Sequence, residues 1–178
     1  MSRTVFNLLT LVTLGALLAG CGLTQKVSDS TASMTKAVFY KQVKTLHLDF
    51  SGRSSVNIDG SDMTVLSVPT LVRIYQLRDN KAVERADYDK LVSNDDNVLI
   101  GDVLDKRAVV VKPEEGAQLN VPMIEDAQFV VVVALFREPD TKVNAWRLTL
   151  SRDDLDPDQA RVIELGNNRL TLRPLQKD

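Results

Sequence analysis

Leu71-Val72-Arg73-Ile74-Tyr75-Gln76-Leu77 and the run from Phe129 to Phe136 decide how this chain folds. The first alternates with a period of two, the pattern of a half-buried strand, and Asp79-Asn80 supply its stop. The second is uninterruptedly apolar and reads as a central strand covered on both faces. Working outward, Leu46, Leu48 and Phe50 alternate with His47 and Asp49 in an earlier strand. Val109-Val110-Val111 leads into Lys112-Pro113-Glu114-Glu115-Gly116, where proline fixes φ and glycine tolerates a positive one. Ala117 to Met123 then follows as a partner strand. Arg147 to Leu150 is short, and Arg161–Leu165 and Arg169–Leu172 flank the hairpin signal Gly166-Asn167-Asn168. Val83, Ala86, Tyr88, Leu91 and Val92 approach the 3.6-residue spacing of a helix, and a second short helix is expected over Leu99 to Asp105. Seven or eight short strands with one helical excursion between strands two and three predict an antiparallel β-sandwich. The sequence shows no internal repeat and no second folded domain.

Composition agrees with one globular body. The 178 residues are 44% hydrophobic, 26% charged and 5% aromatic. A body of this size buries roughly two-thirds of its unfolded surface and needs no disulfide. None is available, because Cys21 is the sole cysteine. The 22 basic against 24 acidic residues give no basic patch of the kind that binds nucleic acid.

The N-terminus supplies the clearest signal. Arg3 provides a positive start, and Val5 to Ala19 form an apolar stretch broken by Asn7, Thr10, Thr13 and Gly15. A bilayer span needs about 20 apolar residues, so this stretch has the proportions of a signal peptide. Leu18-Ala19-Gly20-Cys21 resembles the bacterial lipobox. In that reading Leu18 fills an apolar pocket, Ala19 and Gly20 admit the backbone to the signal peptidase, and the Cys21 thiol accepts the lipid. The competing reading is a plain secretory signal with a coincidental cysteine. The resemblance implies three acyl chains on an N-terminal Cys21, enough for stable anchoring. Gly22 in place of an aspartate favours the outer membrane. The expected organisation is a signal peptide over residues 1–20, a lipidated tether over 21–42 with a short helix near Ala37–Val43, and a sandwich domain over 43–178.

Catalytic constellations are missing from the sequence. The single histidine, His47, shares a strand face with Asp49 and reads as a polar-face residue. No second histidine or cysteine exists to build a zinc site. Asp95-Asp96 and Asp153-Asp154 lack EF-hand spacing and read as solvated loops. The expectation is a protein that is not an enzyme, with no metal, no small-molecule substrate and no cofactor beyond the covalent lipid.

Taken in order, the motifs carry a family resemblance. Cys21, Leu71–Leu77, Ala86-Asp87-Tyr88-Asp89-Lys90-Leu91, Gly101-Asp102-Val103-Leu104, Val111–Gly116, Val132-Val133-Ala134-Leu135-Phe136-Arg137 and Trp146-Arg147 resemble the TssJ (VasD/SciN-like) lipoproteins of the type VI secretion system. The resemblance implies a transthyretin-like sandwich with a small helical addition. It implies an outer-membrane lipoprotein facing the periplasm that binds the periplasmic C-terminal part of TssM, and through it TssL. It further implies that the loop between the first two strands, about Ser51 to Val68, holds the partner. The candidate contact residues there are Asn57, Ile58, Asp59, Gly60, Met63, Val65 and Leu66. Asn57 and Asp59 look like a family Asn-x-Asp feature that closes a turn. Met63, Val65, Leu66 and Val68 are either a strand extension or interface anchors, and the stretch is longer than in the shorter loops of the family. The alternative is a pilotin-like or ligand-binding lipoprotein on the same sandwich.

Overall fold

A computed structural model of the chain describes residues 42–59 and 67–175. The expected signal peptide, the lipobox Leu18, Ala19, Gly20 and Cys21, and the tether apart from Gln42 lie outside the described residues. So does the helix expected near Ala37, up to Lys41.

Eight strands form two four-stranded sheets. The strands are β1 (Thr45–Gly52), β2 (Thr70–Leu77), β3 (Val103–Val111), β4 (Gly116–Pro122), β5 (Phe129–Ala134), β6 (Arg147–Ser151), β7 (Arg161–Gly166) and β8 (Arg169–Leu172). One sheet has the order β4-β1-β7-β8 and the other β3-β2-β5-β6. Alternation places the core: Leu46, Leu48 and Phe50 of β1 and Ile163 and Leu165 of β7 point inward, meeting Val72 and Ile74 of β2 and Val130 and Val132 of β5. Each such burial stabilises by about 1.5–3 kcal/mol.

β5 is buried on both sides, as its apolar run requires, because two helices cover the outer face of its sheet. Helix α1 (Lys81–Arg85) and helix α2 (Tyr88–Val98) break at Ala86-Asp87, so the expected helical segment is two short pieces. Val83 and Leu91 carry their buried stripe. Arginines from the sheet take up helix carbonyls that a helix end leaves without partners. Arg147 on β6 donates to Val83, to Glu84 at 2.7 Å and to Ala86 at 3.1 Å, while Arg73 on β2 donates to the Val92 carbonyl at 3.0 Å. Asp95-Asp96, expected in a solvated loop, lies instead in helix α2, where the buried Asp95 carboxylate completes the junction. Asp95 accepts from the Tyr75 hydroxyl at 2.6 Å and lies 2.6 Å from Lys106 and 3.6 Å from Arg73.

Three expectations need correction. The helix expected over Leu99 to Asp105 is absent: a turn through Gly101, at φ +87, leads straight into β3. There Val103 and Asp105 pair with Leu77 and Gln76. The strand over 117–122 does not partner β3 either. Having crossed to the other sheet, it pairs with β1, Leu48 opposite Leu119. Finally, the sandwich is antiparallel except for one parallel pair, β1 with β7.

Strand directions sort the connections to two ends. The chain enters β1 at Thr45 and leaves it at Gly52. Beside that exit lie Gly116, the start of β4, and Leu165, near the end of β7. The β1–β2 loop, the β3–β4 turn, the β5–β6 connection and the β7–β8 turn therefore gather at one end, the loop end. At the opposite, entry end, a 3-10 turn (Arg152–Asp154) follows β6. Its Arg152 donates to the carbonyls of Ile124, Glu125 and Ala127 and to that of Val43 on the incoming chain, all within 3.0 Å. Among the described residues no helix is long and apolar enough to cross a membrane.

Candidate functional site

Four connections build the loop end, and Gly52, the last residue of β1, fixes one of them. Gly52 donates to the Glu115 carbonyl at 2.9 Å and accepts from the Glu114 amide at 3.1 Å, which lays the β3–β4 turn over the end of β1. A Cβ at Gly52 would sit 2.2 Å from the Lys112 carbonyl oxygen, so the approach admits glycine alone. Arg53 then donates to the Leu165 carbonyl at 2.8 Å, and Ser55 accepts from the Asn167 amide at 2.6 Å. Asn167 and Asn168 both have positive φ, 51° and 58°, as a two-residue hairpin turn between β7 and β8 demands.

The next residues form a cross-braced stem. Val56 is fully buried and donates its amide to Ser67 Oγ at 3.0 Å. Asn57 is 3% exposed; its Oδ1 accepts from the Arg137 amide at 2.9 Å and its carbonyl from the Val68 amide at 3.2 Å. Ile58 and Asn168 exchange two hydrogen bonds, both 2.9 Å, between backbone and carboxamide. Asp59 Oδ2 lies 2.7 Å from Arg137 Nη2. Asn57, Ile58 and Asp59 are thus brought together with Ser67, Arg137 and Asn168. Gly60, Met63, Val65 and Leu66 lie outside the described residues.

Arg137, Asn168 and Ser67 are not among the contact residues expected from the sequence. A signal existed for Asn168, since the Gly166-Asn167-Asn168 turn marks a carboxamide at a fixed corner. Arg137 and Ser67 act across 80 and 11 residues of sequence, and no local pattern reports such reach.

Beside the stem, a polar cleft of about 390 Å³ runs between the start of the loop and the β7–β8 hairpin, lined by Arg53, Ser54, Glu164 and Arg169. Hydrogen bonds from Arg53 and Arg173, each at 2.5 Å, hold the Glu164 carboxyl below the usual carboxylate range. His47 lies away from this end, with Nδ1 2.6 Å from Asn120 Oδ1 on β4. Among the described residues no group of three or more His, Cys, Asp and Glu side chains converges as metal ligands do. The geometry offers a rigid platform for contact with another macromolecule.

Comparison with known proteins agrees. The family model T6SS-SciN, described as Type VI secretion lipoprotein, VasD, EvfM, TssJ, matches residues 44–168. No curated protein matches the sequence. A chain in a solved structure described as "Type VI membrane complex" is 41% identical with a TM-score of 0.70, over 75% of this chain and 100% of that one. Another, in a structure described as the T6SS protein TssM C-terminal domain from EAEC, is 38% identical with a TM-score of 0.68 over the same shares. The T6SS lipoprotein TssJ1 from Pseudomonas aeruginosa has the same fold at 22% identity, with a TM-score of 0.60 over 75% of this chain and 98% of that one. The chain belongs to the TssJ family of type VI secretion lipoproteins.

Proposed function

We propose that this lipoprotein, held by acylated Cys21 to the periplasmic face of the outer membrane, anchors the type VI secretion membrane complex without catalysing a reaction. It does so by gripping the periplasmic C-terminal part of TssM with its loop end, and TssL follows through TssM. One observation carries the reading: the stem of the β1–β2 loop is braced by Ser67, Arg137 and Asn168 at the end of the sandwich opposite the chain's entry. A surface fixed before contact loses little conformational freedom on binding, and that favours affinity. Placement at the far end leaves it open to a partner reaching across the periplasm. Support also comes from the two relatives at 41% and 38% identity, whose structures are described as a type VI membrane complex and as a TssM C-terminal domain. The apolar Met63, Val65 and Leu66 are proposed as anchors within the loop, and Gly60 as its turn.

The test is co-purification of the detergent-solubilised lipoprotein with the periplasmic region of TssM, repeated after residues 60–66 are replaced by a short glycine-serine link. The unaltered chain should retain TssM and the shortened one should lose it with its melting temperature intact. Retention by the shortened chain would move the contact off this loop.

A further inference from the structure

The helices cover only part of the outer face of the β3-β2-β5-β6 sheet. Toward the loop end, Leu71 on β2 and Val110 on β3 stand bare, 38% and 55% exposed. They are register partners, so their side chains lie next to each other on that outer face. Ala108, two residues along β3, is exposed on the same face.

The backbone of β3 is open at the same place. Leu71 turns its carbonyl to β5, where it accepts from the Leu135 amide at 2.9 Å. In an antiparallel ladder a residue directs both its N–H and its C=O to one neighbour. The Leu71–Val110 pair is therefore the non-hydrogen-bonded kind, and Val110 directs its N–H and C=O away from β2. With a period of two, Ala108 and Lys106 do likewise. Among the described residues β3 is the last strand of its sheet, with no strand paired to its outer edge. Of the residues whose amides face outward, Ala108 and Val110 also have bare side chains, whereas Lys106 turns its ammonium to Asp95 and Asp96 on helix α2.

The other open edge on this flank differs. β4 exposes Gln118 and Asn120, a polar edge of the kind that resists pairing. β3 couples a free row of amides to apolar side chains, the combination that strand addition uses.

We propose that β3 accepts an added strand: an extended segment of the partner gripped by the loop end pairs with Lys106, Ala108 and Val110 and covers Val110 and Leu71 with its own apolar side chains. This rests on the proposed function, and continuity favours that occupant. Leu71 lies two residues beyond Pro69, where the β1–β2 loop returns, and Val110 two residues before the turn fixed over Gly52. A segment leaving the loop end is therefore delivered to this edge. Two copies of this chain paired antiparallel over Lys106–Val110, the outward-facing stretch of β3, would set Val110 against Lys106 of the other copy, leaving the apolar pair uncovered.

The experiment measures binding of the detergent-solubilised lipoprotein to the periplasmic region of TssM, together with amide hydrogen exchange along β3. Ala108→Pro removes an outward N–H without touching the β2–β3 ladder, which an edge strand tolerates; Val110→Glu charges the apolar pair. Each should weaken binding about tenfold, equivalent to about 1.4 kcal/mol. Exchange at Lys106, Ala108 and Val110 in the unaltered chain should slow on complex formation. Should Ala108→Pro fail to fold, Val110→Glu and the exchange data decide alone. Full affinity in the variants with unchanged exchange, while the 60–66 replacement still loses TssM, would overturn the strand addition and leave the proposed function standing. Failure of the unaltered chain to bind TssM would remove both. Slowing of exchange with protein concentration alone would assign the edge to a second copy and overturn the proposal.

Discussion

Asn57 and Asp95 show how single polar side chains become structural once they are taken from water. Asn57 is 3% exposed and its Oδ1 satisfies the Arg137 amide in a partly buried hydrogen bond, so Asn57→Ala removes that acceptor. Losing such a bond costs about 0.5–1.5 kcal/mol. Urea denaturation should show that loss, with the slope unchanged. Asp95 is the acid-sensitive residue. Burial raises its pKa, but hydrogen bonds from Lys106 and Tyr75 and the charges of Arg73 and Lys106 outweigh burial and hold it below the usual carboxylate range. A depressed folded pKa means stabilisation that is full above about pH 4, the unfolded value, and lost as pH falls through the folded one. Asp95→Asn should therefore be less stable than the parent at pH 7 but should lose less on acidification, so that their denaturation midpoints draw together as pH falls below about 4. Parallel midpoints across that range would contradict the assignment.

At the scale of elements, Arg152 joins the β4–β5 connection, the β6–β7 connection and the incoming chain through four carbonyls. A planar guanidinium can spread its donors over them where a lysine ammonium cannot. Arg152→Lys should thus fail to restore what Arg152→Ala loses, with both melting several degrees below the parent in a thermal scan. The elements also show how far the sequence could be read. Seven strands were legible in the sequence, but of β3 only Val109-Val110-Val111 was, because most of its residues are exposed or part-buried. The helix expected over Leu99–Asp105 failed because four apolar residues before Asp105 fit either period, and Gly101 decided for a turn. Pairing was hidden as well. The Lys112–Gly116 turn looks like a hairpin, yet it crosses between sheets, since what seats it is the distant Gly52. In the candidate site, Asn57 and Asp59 were legible as turn residues; their shared partner Arg137 was not, lying 80 and 78 residues away.

For the whole molecule, the division between lipid and body gives a clear test. Among the described residues the core closes between Val43 and Leu170. Cys21→Ser should abolish incorporation of labelled palmitate and release the protein from the membrane fraction. The same variant should keep its melting temperature and its affinity for the TssM region in solution. A variant that unfolds would show that anchor and body are not separable.

The position of β1 has a consequence for how such an anchor resists force. The sequence segment that carries Cys21 precedes its first residue, and its last residue opens into the loop proposed to hold the partner. In the proposed anchor, tension between lipid and partner would be applied along the length of one strand. β1 is flanked on both sides, by seven register pairs with β4 and five with β7. Pulling along it loads those ladders together in shear, so they must fail as a group. A hairpin pulled from one end would peel open one bond at a time.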